Sequence, residues 1–432
     1  NEEQKEEFLS VIRNVLEDCV KNGISKKSLL AGINSMEFKF READFGAYPK
    51  GLMYGLQCLD SWIYDEKEPF MHIEAIETYA FLKEQTKGRY FEELVQKYLL
   101  DNTHVSVVIT KPQKGLNAEN EKALEEKLAA YKATLSKEEI DSLIADTRHL
   151  KEYQEEPSPK EDLEKIPLLK REDLKKEIVK LTNEECEVAG VPALYHDVFT
   201  SGIHYVDFMF DIKHIRQEDL PYVGLLKAVL GYVDTEHYGY ADLSNEINLQ
   251  TGGISNNILV TADVENIEEY SLKFEIRTKF LDDKTGAALR LVKEIICSSN
   301  LDDEKRLYEI IAQGKSRLQM AIGGMGHYMA GMRAMSYFSK TSKISDLTGG
   351  IELYKMVADL EEHFEEKKEE LKATLKRLVK EIFVRERLML NITSAGGTEF
   401  LEQELQMLLE SLPSDKTPVK PQEILCEKKN EG

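Results

Sequence analysis

What the chain lacks narrows it first. Its five cysteines, Cys19, Cys58, Cys186, Cys297 and Cys426, are isolated and odd in number, and none sits in a C-x-x-C pair. That speaks against a disulfide framework or a cysteine-type zinc site, and fits a reducing compartment, cytoplasmic or an organelle matrix. No apolar run approaches the roughly 18 residues needed to span a bilayer. Positive charge is short: Lys plus Arg is 57 against 79 Asp plus Glu, for a formal net charge of −22. Such a chain lacks the basic face that meets nucleic acid and is repelled by anionic lipid, so neither nucleic acid nor membrane is an expected partner. No secretory signal opens the sequence, but it starts at Asn1 rather than Met, so the true N-terminus is not visible. A short-period repeat is also missing.

What is present is an ordinary globular mix, 42% hydrophobic and 31% charged over 432 residues. That length exceeds one core and predicts roughly two to four domains. Residues 1–100 read as helices. Phe8, Ile12, Val15, Leu16 and Cys19 make one apolar stripe. Ser25 reads as an N-cap. Leu52, Leu56, Leu59 and Trp62 form one seam after Pro49. Two further helices are expected over residues 73–84 and 90–99. His104–Thr110 (HVSVVIT) reads as a buried strand. No other strong strand precedes residue 180, so its partners must come from a segment outside this numbering, a second chain or a later strand.

Residues 116–155 predict a helical hairpin, with a capping box at Ser136. The acidic, Pro-punctuated stretch 155–165 reads as linker. The remainder predicts an α+β domain of helices on one face of a largely antiparallel sheet. Its strands show in Glu185–Val188, in Ala193–His196, and in the alternation of Val206, Phe208, Phe210 and Ile212. Two more show as Leu272, Phe274 and Ile276, and as Leu388, Leu390 and Ile392. The stretch Ile203–Val264 organises this domain as strand, helix, helix, strand.

That order of elements, with residues 23–69, ALYHDVFTSGIHYVDFMFDI (193–212), QTGGISNNILVTADV (250–264) and residues 317–350, resembles the presequence-protease-type peptidases. These belong to the clan of insulysin and pitrilysin, the inverted zinc-motif metallopeptidases, and the likeness covers nearly the whole chain. It implies four similar α/β domains in two bowl-like halves that close around an unstructured peptide. It also implies a zinc held on the first domain by H-x-x-E-H plus a distant glutamate, with the motif glutamate activating water. Residues 1–112 would then be the C-terminal part of a second domain and 113–170 the hairpin linker between halves. Residues 171–415 would be a third, metal-free domain, and 416–432 a tail leading to a last domain.

The sequence contains neither H-x-x-E-H nor H-E-x-x-H. Counted back from Thr235 and Gly252-Gly253, the motif slot falls on Leu225, Ala228 and Val229, which can neither bind zinc nor take a proton. The resemblance therefore implies a non-catalytic central portion: no cofactor in this chain, zinc in the parent protein. The expected partners are the missing N- and C-terminal domains and, through the parent, unstructured peptides. The alternative is an inactive stand-alone homologue acting as a binding or assembly subunit. Other constellations have plainer readings. His196-Asp197 is a strand end rather than an acid–base pair. Glu236-His237-Tyr238 is a surface or capping turn, Gly323-Gly324-Met325-Gly326 a helix break rather than a phosphate loop, and the Met320–Met335 methionines core packing.

Overall fold

The computed structural model describes residues 2–430 except 175, 178, 179, 181 and 419. Two compact units separate: Asn1–Asn14 with Asp101–Lys180, and Val15–Leu100 with Leu181–Gly432. The helices before the sheet are α1 (Lys5–Asn22), α2 (Lys26–Glu42), α3 (Lys50–Trp62), α4 (Ile76–Gln85), α5 (Tyr90–Val95), α6 (Leu116–Thr134), α7 (Lys137–Glu155) and α8 (Lys160–Leu163). Those within and after it are α9 (Leu220–Val229), α10 (Tyr240–Gln250), α11 (Thr285–Cys297), α12 (Glu304–Gly324), α13 (Gly326–Met335), α14 (Lys340–Gly349), α15 (Ile351–Glu362), α16 (Phe364–Ile382) and α17 (Glu402–Leu409).

In the first unit, α6 and α7 meet at Leu135-Ser136. The Ser136 hydroxyl accepts from the Glu139 N–H at 3.2 Å, and the Glu139 carboxylate accepts from the Ser136 N–H at 2.7 Å, closing the capping box. His104–Thr110 departs from expectation. It belongs to no ladder, and Val105 and Val108 are exposed rather than buried. A strand exists by pairing, and among the described residues no neighbour offers a ladder, so no later strand of this chain completes it.

The second unit holds one mixed α+β sheet of six strands: β1 (Glu184–Val188), β2 (Val191–Asp197), β3 (Ile203–Asp211), β4 (Ile254–Ala262), β5 (Tyr270–Leu281) and β6 (Leu388–Ser394). The order is β1-β2-β6-β3-β5-β4, antiparallel throughout except between β2 and β6. The alternation legible in sequence becomes the buried face. Val206, Phe208, Phe210, Phe274, Ile276, Leu390 and Ile392 are fully buried. Phe383, after α16, stacks edge-on against Phe210 and Phe274 at 5.1 and 5.3 Å. Burying each such ring contributes about 2 to 3 kcal/mol.

Ser25 caps α2 as expected, accepting from the Ser28 N–H. The α3 seam, however, stays half-exposed at Leu52, Leu56, Leu59 and Trp62. Helix α14 has no counterpart in the sequence reading. Its polar run Lys340–Ser345 masks the buried Ile344 and Leu347.

Candidate functional site

Helix α9 carries the three slot residues. It starts from a tight turn at Gln217–Asp219, where the Asp219 carboxylate accepts from Arg216 Nε at 3.0 Å and from Arg377 at 2.7 Å. Pro221 fits the first turn, where its missing N–H costs nothing. Beyond it the helix is apolar almost all round, as a fully packed helix must be. Leu225 is 3% and Val229 0% exposed, while Ala228 faces outward. Gly224 is required by α14, because a Cβ there would lie 2.7 Å from the Thr348 carbonyl oxygen. Lys227 is half-buried, and desolvation lowers its ammonium below the usual lysine value. At the far end the Asn256 amide, on β4, donates to the Leu230 carbonyl at 2.8 Å.

None of these slot side chains has a lone pair to offer, so zinc does not fit α9. Among the described residues no group of three His, Cys, Asp or Glu is placed to hold a metal ion.

The opposite face of the sheet carries a feature not read from the sequence as a unit. His196 Nε2 lies 2.8 Å from Asn391 Oδ1. The Asn391 amide donates to Asp207 at 3.0 Å, and Arg277 Nε donates to the same carboxylate at 2.9 Å. Arg277 also reaches Glu275 at 3.3 Å, and the Asn257 amide donates to Glu275 at 3.2 Å. This row crosses β2, β6, β3, β5 and β4 in register. Asp207 and Glu275 are 7% and 4% exposed because their neighbours roof them, so this face is less open than alternation predicts. Arg277 is held above its usual value, chiefly by the Asp207 hydrogen bond. At one end of the face, Glu42 of α2 accepts from Tyr205 at 3.0 Å and from Lys279 at 2.5 Å. Burial first, then Glu42, keep the Tyr205 phenol protonated far above its ordinary range.

His196 is thus a side chain of a polar network, not an acid–base partner of Asp197. In the turn before α10, the His237 main-chain N–H donates to Glu294 at 3.0 Å, and its ring Nδ1 is also 3.0 Å from that carboxylate. Burial raises Glu294, but bonds from Thr235 and His237 outweigh it and hold the carboxyl below the usual range. A shallow cleft of ≈ 380 Å³ adjoins it, lined by Glu246, Gln250 and Arg290 among others. The glycine stretch 323–326 is a helix break, with Met325 separating α12 from α13. The methionines there are not core: Met329 is buried, but Met320, Met325 and Met335 are exposed, because α13 buries only one side. That side seats Arg333, which pairs with Asp346 at 2.5 Å and with Glu352 at 2.7 Å. The pair joins α13, α14 and α15, and nothing local in the sequence marks it.

The α+β fold, with its metal-free motif helix, is that of a non-catalytic part of a peptidase family. Residues 110–360 match the peptidase M16-associated family of subgroup C, and the chain belongs to it. It is presequence-protease-like. It is 35% identical over 430 residues to Protein HypA of Clostridium perfringens (strain 13 / Type A), covering 99% of this chain and 44% of that protein. It is 27% identical over 420 residues to Presequence protease 1, chloroplastic/mitochondrial, of Arabidopsis thaliana, covering 96% and 39%. The chain therefore spans less than half the length of these relatives. A solved structure of a peptidase M16 inactive domain from Pseudomonas fluorescens superposes with TM-score 0.39 at 12% identity, covering 56% of this chain and 54% of that one.

Proposed function

We propose that this chain is the non-catalytic central portion of a zinc metalloendopeptidase that degrades unstructured peptides inside a closed, two-halved chamber. Residues 171–415 would form chamber wall, 113–170 the hinge linker, 1–112 the end of a second domain, and 416–432 the path to a last one. Zinc and its ligands would lie on a domain outside these residues, as would the groups that complete the scissile site. The parent would work in a reducing cytoplasm or organelle matrix.

The observation that carries this reading is α9. It occupies the place of a zinc-motif helix, yet packs Leu225 and Val229 into the core. The relatives named presequence protease, each longer than this chain, support it further.

The test is zinc analysis of purified 1–432 together with a quenched-peptide cleavage assay. Sub-stoichiometric zinc and no turnover are expected. Stoichiometric zinc with turnover would overturn the proposal.

A further inference from the structure

Residues 102–112 of the first unit run extended without entering any ladder. Among the described residues, the main chain of Val105–Thr110 makes no hydrogen bond. Its side chains are apolar on both faces: Val105 is 70%, Val107 46%, Val108 85% and Ile109 43% exposed. Beside it, α1 presents Phe8 at 66% and Val11 at 56% exposure. A cleft of ≈ 890 Å³ lies between them, lined by Phe8, Leu9, Val11, Val107, Ile109 and Pro112.

We propose that His104–Thr110 is an inner strand of a sheet whose neighbouring strands come from the same full-length polypeptide, outside residues 1–432, and that α1 packs on the face of that sheet. Three features select this occupant. Six consecutive peptide groups need donors and acceptors in step, and only another extended backbone supplies them at that spacing. Edge strands are normally blunted by lysine, proline or short length, whereas Val105–Thr110 holds no charge and no proline. β-branched residues on both faces mark a strand covered on each side, and the apolar stripe of α1 is one such cover. As to source, 99% of this chain aligns to only 44% of the Clostridium protein, so more than half of that polypeptide lies beyond the aligned part. The inference rests on reading the chain as part of a longer peptidase, but the two fail separately, since zinc with turnover leaves the strand unaddressed.

Hydrogen exchange read by mass spectrometry tests it, on 1–432 and on the same protein carrying its flanking polypeptide. Amides 105–110 should exchange freely in 1–432 and about 100-fold or more slower in the longer protein. Equal exchange in both overturns the proposal. Protection that rises with the concentration of 1–432 alone, together with dimer in sedimentation, would instead assign the seat to a second copy and overturn the source claimed here.

Discussion

The ring of Phe38 occupies the space where a side chain at Gly252 would begin: a Cβ there would meet Phe38 Cε1 at 2.2 Å. This contact docks α2 on the connection between α10 and β4, where the Gly252 N–H donates to the Lys279 carbonyl at 2.7 Å. Gly252→Ala should therefore force the ring off its rotamer and loosen α2, at about 2 kcal/mol. A lowered urea midpoint would show it, and Phe38→Leu in the same background should recover part of the loss. An unchanged midpoint would mean that the ring swings aside freely.

The Arg333–Asp346 pair is buried at both ends, 6% and 1% exposed. Asp346→Ala leaves a guanidinium without its main counter-charge and frees the Ile351 N–H, which donates to Asp346 at 2.9 Å. The expected loss is about 3 to 5 kcal/mol. Replacing both partners, Arg333→Met with Asp346→Leu, should cost much less. If the double variant is as unstable as the single one, the pair is not the cause.

His214 gives the fold an acid-sensitive point. Burial, and then the Arg387 guanidinium that donates to its Nε2 at 2.6 Å, hold the imidazole below its ordinary value. The sign follows from linkage: the unfolded chain takes up this proton more readily. The stabilisation is complete above about pH 6.5 and is lost as pH falls through the lower folded value. Between about pH 7.5 and 5.5 the urea midpoint should drop more in the parent chain than in His214→Gln. Parallel curves would dismiss the residue as the source.

Rebuilding metal ligands on α9 should fail structurally. Val229→His puts an imidazole where side chains are fully buried, so a loss of about 2 to 4 kcal/mol is expected. Adding Leu225→His and Ala228→Glu should not bring stoichiometric zinc. Tight zinc binding by that triple variant, measured by calorimetry, would show that the helix is still poised as a metal site.

Much of this architecture was legible because its signals are local. Ser25 and Ser136 announce helix starts, and Val206, Phe208 and Phe210 announce a face by period two. The motif slot was readable because absence of histidine is a fact about sequence alone. What stayed hidden depends on distant partners. HVSVVIT has strand chemistry, but pairing decides whether a strand forms. The methionines of α13 are apolar enough for a core, yet burial depends on which neighbour arrives. The row from His196 to Asn257 joins residues that no spacing rule connects, and α14 hides its two core residues within a polar run.

The sheet order has a consequence for how the protein is made. Strand β6 lies between β2 and β3, yet it follows β3 by more than 170 residues, as Asp207 and Asn391 facing each other across the ladder make plain. Until a ribosome has passed residue 394, β2 and β3 have an empty lane between them, and their Phe208 side of the core has no Leu390 to close on. The nascent sheet must wait with strand edges open, the state in which chains most readily pair with one another. Slow closure, and a need for chaperone shelter during synthesis, are built into the position of that one late strand.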